Sequence, residues 1–270
     1  LQERLYQEML GRIKQTDLSV PYPDGEYLYY SRTEEGKAYP IICRKRGSRE
    51  AEEQIILDIN ALAAEREYVN VSRWEVSPNG RLLAYLVDET GYERPTLYVK
   101  DLRTGEYVEE PIEELGPWSL AWANDNRTLF YTRQDETNRP NRLYRHVIGD
   151  DASEEELLYT ENDGRFYLGV DRSRSGEYLF MTLGSQITSE VWALKAGEPQ
   201  RDFRVIEPRR HGVEYSVDHR TDRFYILTND NAVNFRVVSA PVDQPGADNW
   251  RDVIPHDPSV YVQSINVLAN

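Results

Sequence analysis

The 270-residue chain has little of what would anchor or cross-link it. No run of 18 apolar residues exists, so no helical membrane span is expected. One cysteine, Cys43, rules out an internal disulfide and suits a reducing compartment, so a cytoplasmic location is expected. The opening Leu1-Gln2-Glu3-Arg4 has neither the charged nor the apolar region of a signal peptide. Basic residues are outnumbered, 32 against 47 acidic, for a net charge of −15. That balance argues against nucleic acid as a partner, because neutralising phosphates takes clustered Lys and Arg. Its plain reading is solubility, and its sharper reading is an acidic field that concentrates cationic ligands. No Gly-x-Ser-x-Gly nucleophile elbow and no glycine-rich phosphate loop occur, so no catalytic centre and no cofactor are expected.

What the chain does have is aromatic residues, 19 Tyr and 5 Trp, set in a recurring unit. A turn of Asn/Asp-Gly character is followed by an aromatic strand, a charged hairpin and a second strand. The clearest copy is Ser77-Pro78-Asn79-Gly80-Arg81-Leu82-Leu83-Ala84-Tyr85 with Leu97–Leu102. The turn returns at Gly25, Asn126, Gly176 and Asp222, giving spacings of 55, 46, 50 and 46 residues. A period near 46 with several short strands per copy predicts an all-β fold, a β-propeller. Blades are expected at about 18–68, 69–114, 115–163, 164–210 and 211–257, each of four strands. Val260–Val267 reads as the first strand of a further copy, within 258–270. Each blade buries its faces on its neighbours, so the extra strand either completes a five-bladed ring or marks the chain as a fragment of a longer propeller.

Residues 1–17 lie outside the repeat. Leu5, Met9 and Ile13, with Tyr6, recur at helical spacing over 1–15 and predict a short amphipathic helix that links to something else. The abrupt start at Leu1 also fits a piece of a longer protein.

Candidate chemistry inside the chain is sparse. Of the four histidines, His146 sits in a strand and reads as structural. His211 and His219 flank an inner strand eight residues apart, which is no recognised metal spacing, so no metal is expected. Ser185 reads as a turn residue. The pairs Glu109-Glu110, Glu113-Glu114 and Asp150-Asp151 and the run Glu154–Glu156 read as solvated loops. Glu75 and Asp171 are the main carboxylates on inner strands, too few for a central glycosidase site.

Several stretches resemble the oligopeptidase B branch of the prolyl oligopeptidase family of serine peptidases. They are Leu5–Lys14 with Asp17-Leu18-Ser19-Val20-Pro21, Tyr27–Arg32 with Tyr39-Pro40, Asp135-Glu136-Thr137 with Arg139-Pro140 and Arg142–His146, and Phe166–Val170. The resemblance covers essentially the whole chain. It implies a seven-bladed propeller over an α/β-hydrolase domain with a Ser–Asp–His triad. The propeller would admit only short peptides, cut after Lys or Arg. This chain would be the propeller portion, inactive alone, with the catalytic domain as its partner and short cationic peptides as substrates.

The resemblance also turns one face, the hairpins between second and third strands, toward the catalytic domain. These hairpins are roughly 33–38, 88–95, 134–141, 184–189 and 229–233. Glu93, Asp135 and Arg139 are the candidate residues of an interdomain latch there, against the plainer reading of polar hairpin chemistry. Two alternatives remain open: a free-standing propeller that binds proteins or peptides, and a five-bladed carbohydrate-active enzyme. Sequence downstream of Asn270 would separate the first of these from the peptidase reading.

Overall fold

The computed structural model describes residues 1–150 and 154–268. The expected sequence features at Asp151 and at 269–270 therefore lie outside the described residues. The chain folds into consecutive antiparallel sheets, each a simple meander. Sheet one holds Tyr22–Asp24 (β1), Tyr27–Arg32 (β2), Ile41–Arg46 (β3) and Glu53–Asp58 (β4). Sheet two holds Asn70–Val76 (β5), Leu82–Asp88 (β6) and Thr96–Asp101 (β7). Sheet three holds Leu115–Trp122 (β8), Thr128–Gln134 (β9), Pro140–Val147 (β10) and Glu156–Thr160 (β11). Sheet four holds Tyr167–Arg172 (β12), Tyr178–Gly184 (β13), Ser189–Lys195 (β14) and Arg204–Glu207 (β15). Sheet five holds Tyr215–Arg220 (β16), Arg223–Thr228 (β17), Arg236–Pro241 (β18) and Arg251–Ile254 (β19).

The two-residue side-chain period explains why the sheets stack. Along β6, Leu83, Tyr85 and Val87 pack with Tyr29, Ile42 and Leu57 of sheet one. The alternate residues Ala84 and Leu86 pack with Leu120, Leu129 and Tyr131 of sheet three. Phe130 of β9 turns the other way, toward Leu168, Val170 and Met181 of sheet four. Tyr178 and Phe180 of β13 meet Phe224, Ile226 and Val238 of sheet five. A one-residue register slip would exchange every one of these faces. The described sheets form an open arc, with no hydrophobic cluster joining sheets one and five.

Four details differ from the sequence expectation. Sheet two has three regular strands, and its fourth survives as isolated bridges, Lys100 to Tyr107 and Leu97 to Ile112. Pro111 lies in that stretch and has no N–H to give a ladder. The N-terminal helix (α1) spans Gln2–Leu10 and stops at Gly11, a poor helix former, short of the expected residue 15. Val260–Val267 forms no strand, because the described residues offer it no neighbouring strand to pair with. Its anchors are Val262 N–H donating to Asn234 O at 3.0 Å and the Tyr261 ring set edge-on to Phe235. In the fifth turn the left-handed residue is Thr221 (φ 56°), one position before Asp222. The matching residues Gly25, Gly80, Asn126 and Gly176 do have positive φ.

A short helix at Ile59–Ala63 (α2) also joins sheets one and two, capped by Asp58, whose carboxylate accepts from Asn60 N–H at 2.9 Å. At Gly80 (φ 73°) the reason for glycine is close approach. A Cβ there would lie 2.9 Å from the Tyr27 ring.

Candidate functional site

The hairpins joining second and third strands emerge at one end of the arc, as the meander requires. The hairpin after β6 is built around Asp88. This carboxylate is 1% exposed. Its Oδ1 accepts Thr90 N–H and Oγ1–H at 2.8 Å and Gly91 N–H at 3.0 Å, and its Oδ2 accepts Glu93 N–H at 2.9 Å. Burial alone would push Asp88 up, but these donors outweigh it and hold the carboxyl below its ordinary range. The fold they impose puts Glu93 in the left-handed region at φ 59°. That conformation costs a non-glycine residue roughly 1–2 kcal/mol. The Glu93 side chain is exposed, and among the described residues its carboxylate forms no ion pair.

Asp135 and Arg139 occupy the next hairpin, after β9, and their charges are already matched. Arg139 Nε donates to Asp135 Oδ2 at 2.9 Å. Asp135 Oδ1 also accepts the N–H and hydroxyl of Thr137 at 2.9 and 2.7 Å. Burial raises the Asp135 carboxyl, but the Thr137 and Arg139 donors bring it down to about 2. The buried Arg139 guanidinium continues into the link between sheets three and four, donating to the carbonyls of Asp163 (3.1 Å), Phe166 (2.8 Å) and Glu161 (3.3 Å). Asp135 and Arg139 are thus brought together as a staple within the propeller. Glu93 stands apart from them, with its charge available.

The two hairpins are tied to each other. Arg94 pairs with Glu114 at 2.9 Å, and its Nε and Nη2 donate to Asn138 Oδ1, both at 3.2 Å. Asn138 is itself left-handed, at φ 60°.

Sequence reasoning passed over the apolar part of this face. Tyr92 and Val233 project from hairpins, exposed by 73% and 79%. Trp118, in the bulged stretch of β8, is also exposed. A cavity of about 760 Å³ opens beside the hairpin of sheet four, lined by Phe166, Tyr167, Ile187, Thr188, Arg209 and His211. Arg209 lies 4.1 Å over the Phe166 ring and pairs with the buried Glu161 at 2.6 Å. The available signal was an aromatic or branched residue inside an otherwise polar hairpin. His146 and His219 take structural places. His146 is buried against Glu109 at 3.3 Å, and His219 Nδ1 lies 2.8 Å from Ser175 Oγ. Ser185 closes a tight turn, its N–H donating to Thr188 O at 2.8 Å.

All 270 residues match the family described as the prolyl oligopeptidase N-terminal beta-propeller domain. The chain belongs to the prolyl oligopeptidase family. Within that family it is 38% identical to dipeptidyl aminopeptidase BI of Pseudoxanthomonas mexicana, over 99% of this chain and 39% of the relative. It is 33% identical to protease 2 of Moraxella lacunata, over 97% of this chain and 39% of the relative. Among solved structures it superposes on oligopeptidase B from Leishmania major with a TM-score of 0.91 at 30% identity, over 97% of this chain and 37% of that one. It superposes on oligopeptidase B from Trypanosoma brucei, closed form with covalently bound antipain, with a TM-score of 0.90 at 33% identity, over 99% and 38%. This prolyl oligopeptidase propeller thus spans about two-fifths of the length of these relatives.

Proposed function

We propose that this propeller is the access-gating domain of a serine peptidase that cleaves short peptides after Lys or Arg, working against an α/β-hydrolase domain carried by the same protein. The observation that carries the reading is the pre-formed Asp88 hairpin, which holds Glu93 outward, ion-pair-free among the described residues and in a strained backbone. Strain of this kind persists only where the surroundings enforce it, and it clusters at functional sites. Glu93 is the latch residue, free to pair with a cation on the catalytic domain. Asp135 and Arg139 position the neighbouring hairpin. The net charge of −15 steers cationic peptides toward the site, more strongly at low salt. The single, buried Cys43 supports a cytoplasmic setting.

An exposed ion pair contributes up to about 1 kcal/mol. In the natural full-length protein, Glu93→Ala should therefore lower kcat/KM on a Lys- or Arg-containing peptide by up to about fivefold. An unchanged kcat/KM would remove Glu93 from the latch. The 38% identity with a dipeptidyl aminopeptidase favours a second reading, in which the parent releases dipeptides from free N-termini. Comparing hydrolysis of an Arg-Arg substrate with and without an N-terminal blocking group separates the two. The endopeptidase accepts the blocked substrate, and the aminopeptidase does not.

A further inference from the structure

The two inner-strand carboxylates, Glu75 and Asp171, meet at one guanidinium. Arg73 Nη2 lies 2.9 Å from Glu75 Oε1 and 2.7 Å from Asp171 Oδ1. Arg73 and Glu75 stand two apart on β5 and so share a face of that strand. Asp171 belongs to β12, 98 residues away, so the second contact runs from sheet two to sheet four. Strand β8 of sheet three lies between, packed against both β5 and β12. Arg73 Nε is buried without a partner. Arg73 and Glu75 line a cavity of about 490 Å³ at the end of the arc opposite the hairpins, walled by the first turns of sheets one, two and four.

We propose that Arg73 is a proton-operated strap between sheets two and four, tight when Glu75 is protonated and slack when Glu75 is ionised. A neutral Glu75 leaves the guanidinium charge undivided for Asp171. An ionised Glu75 takes a share of that charge and repels Asp171 as well. Asp171 keeps 63% of its side-chain surface exposed, so water can enter the contact and let it open.

Desolvation, first of all, favours a proton on Glu75. Burial raises its carboxyl, Arg73 opposes that, and Asp171 and Asp24 add to it, leaving Glu75 at about 7. Arg172 also lines the cavity; it donates to the neutral Asn124 Oδ1 (2.5 Å) and Gly176 O (3.0 Å), and the Asp24 and Glu75 charges act on it as well. Tyr22 feels Glu75 as a nearby negative charge. Arg174 lines the same cavity, and β8 contributes Leu120, Ala121 and Trp122, with no titratable group. Trp122 Nε1–H donates to the Glu75 carbonyl at 3.1 Å. An acid raised in the folded state stabilises it below its unfolded pKa of about 4.5, and that contribution is lost as the pH rises through about 7.

The test is hydrogen exchange of the β5 and β12 amides in this chain at about pH 6 and about pH 8, corrected for intrinsic rates. Protection should fall about two- to fivefold between the two, the range of an exposed ion pair. Glu75→Gln should hold the protected level at both pH values, and Asp171→Asn should be unprotected at both. A Glu75→Gln chain that keeps the drop, or an Asp171→Asn chain protected like the unaltered one, overturns the strap. If either variant fails to fold, carboxyl ¹³C titration of the unaltered chain decides. A Glu75 midpoint near neutral with a concurrent shift of the Arg73 Nε resonance supports the strap. A midpoint in the ordinary carboxylate range, or an Arg73 resonance that does not move with it, overturns it.

Discussion

Asp135 shows how one carboxylate can hold two sheets in relation. Its oxygens take the N–H and hydroxyl of Thr137 and the Arg139 guanidinium, which in turn reaches three carbonyls of the next link. Removing one partner of such a network strands a buried charge and costs about 1–3 kcal/mol. Asp135→Asn should therefore lower unfolding stability by about that much at neutral pH. The folded-state carboxyl sits at about 2, below its ordinary value, so its contribution is present above about 4 and disappears as the pH falls through about 2. Urea unfolding of both chains at neutral pH and near pH 2 checks this, because the difference should close at the acidic end. The sequence marked Asp135, Arg139 and Glu93 as alike, three charged hairpin residues. Their separation into a staple and an outward carboxylate depends on backbone sign and partners, which residue type does not encode.

At the scale of elements, the second strands of sheets two, three and four pack on both neighbours. Phe130 is fully buried and meets Phe203 edge-to-face at 5.7 Å between ring centres. Phe130→Ala should cost roughly 3–5 kcal/mol, the range for large-to-small changes in a packed core. Thermal unfolding with an unchanged far-ultraviolet spectrum at low temperature would show that the loss comes from packing between sheets three and four. The fourth strand of sheet two and the stretch Val260–Val267 were less legible. Both have strand-forming residues, but ladder formation depends on a donor that Pro111 lacks and on a neighbour that the tail does not meet among the described residues. Helix α1 has the expected amphipathic pattern, yet Leu5 and Met9 remain exposed, since no other element among the described residues covers them.

For the whole molecule, an open arc leaves outer sheet edges and apolar side chains in water. Val253 and Ile254 of β19 and Val233 beside it are exposed. Exposed edges and patches of this kind promote association. The chain should show a concentration-dependent mass in light scattering and bind an apolar dye. A monodisperse monomer without dye binding would mean that the arc closes its faces by itself. Sheet number and order could be read from the repeat, but the axial meeting of Arg73, Glu75 and Asp171 could not, because strand pattern does not tell which inner-strand charges of sheets two apart will touch.

The sequence by itself determined the repeating meander, because short strands and a turn every 46 to 55 residues are local properties. Only the tertiary structure decided which charges are matched and which are left outward. Those partnerships cross sheets and span up to 98 residues of chain, so they exist only once the arc has assembled.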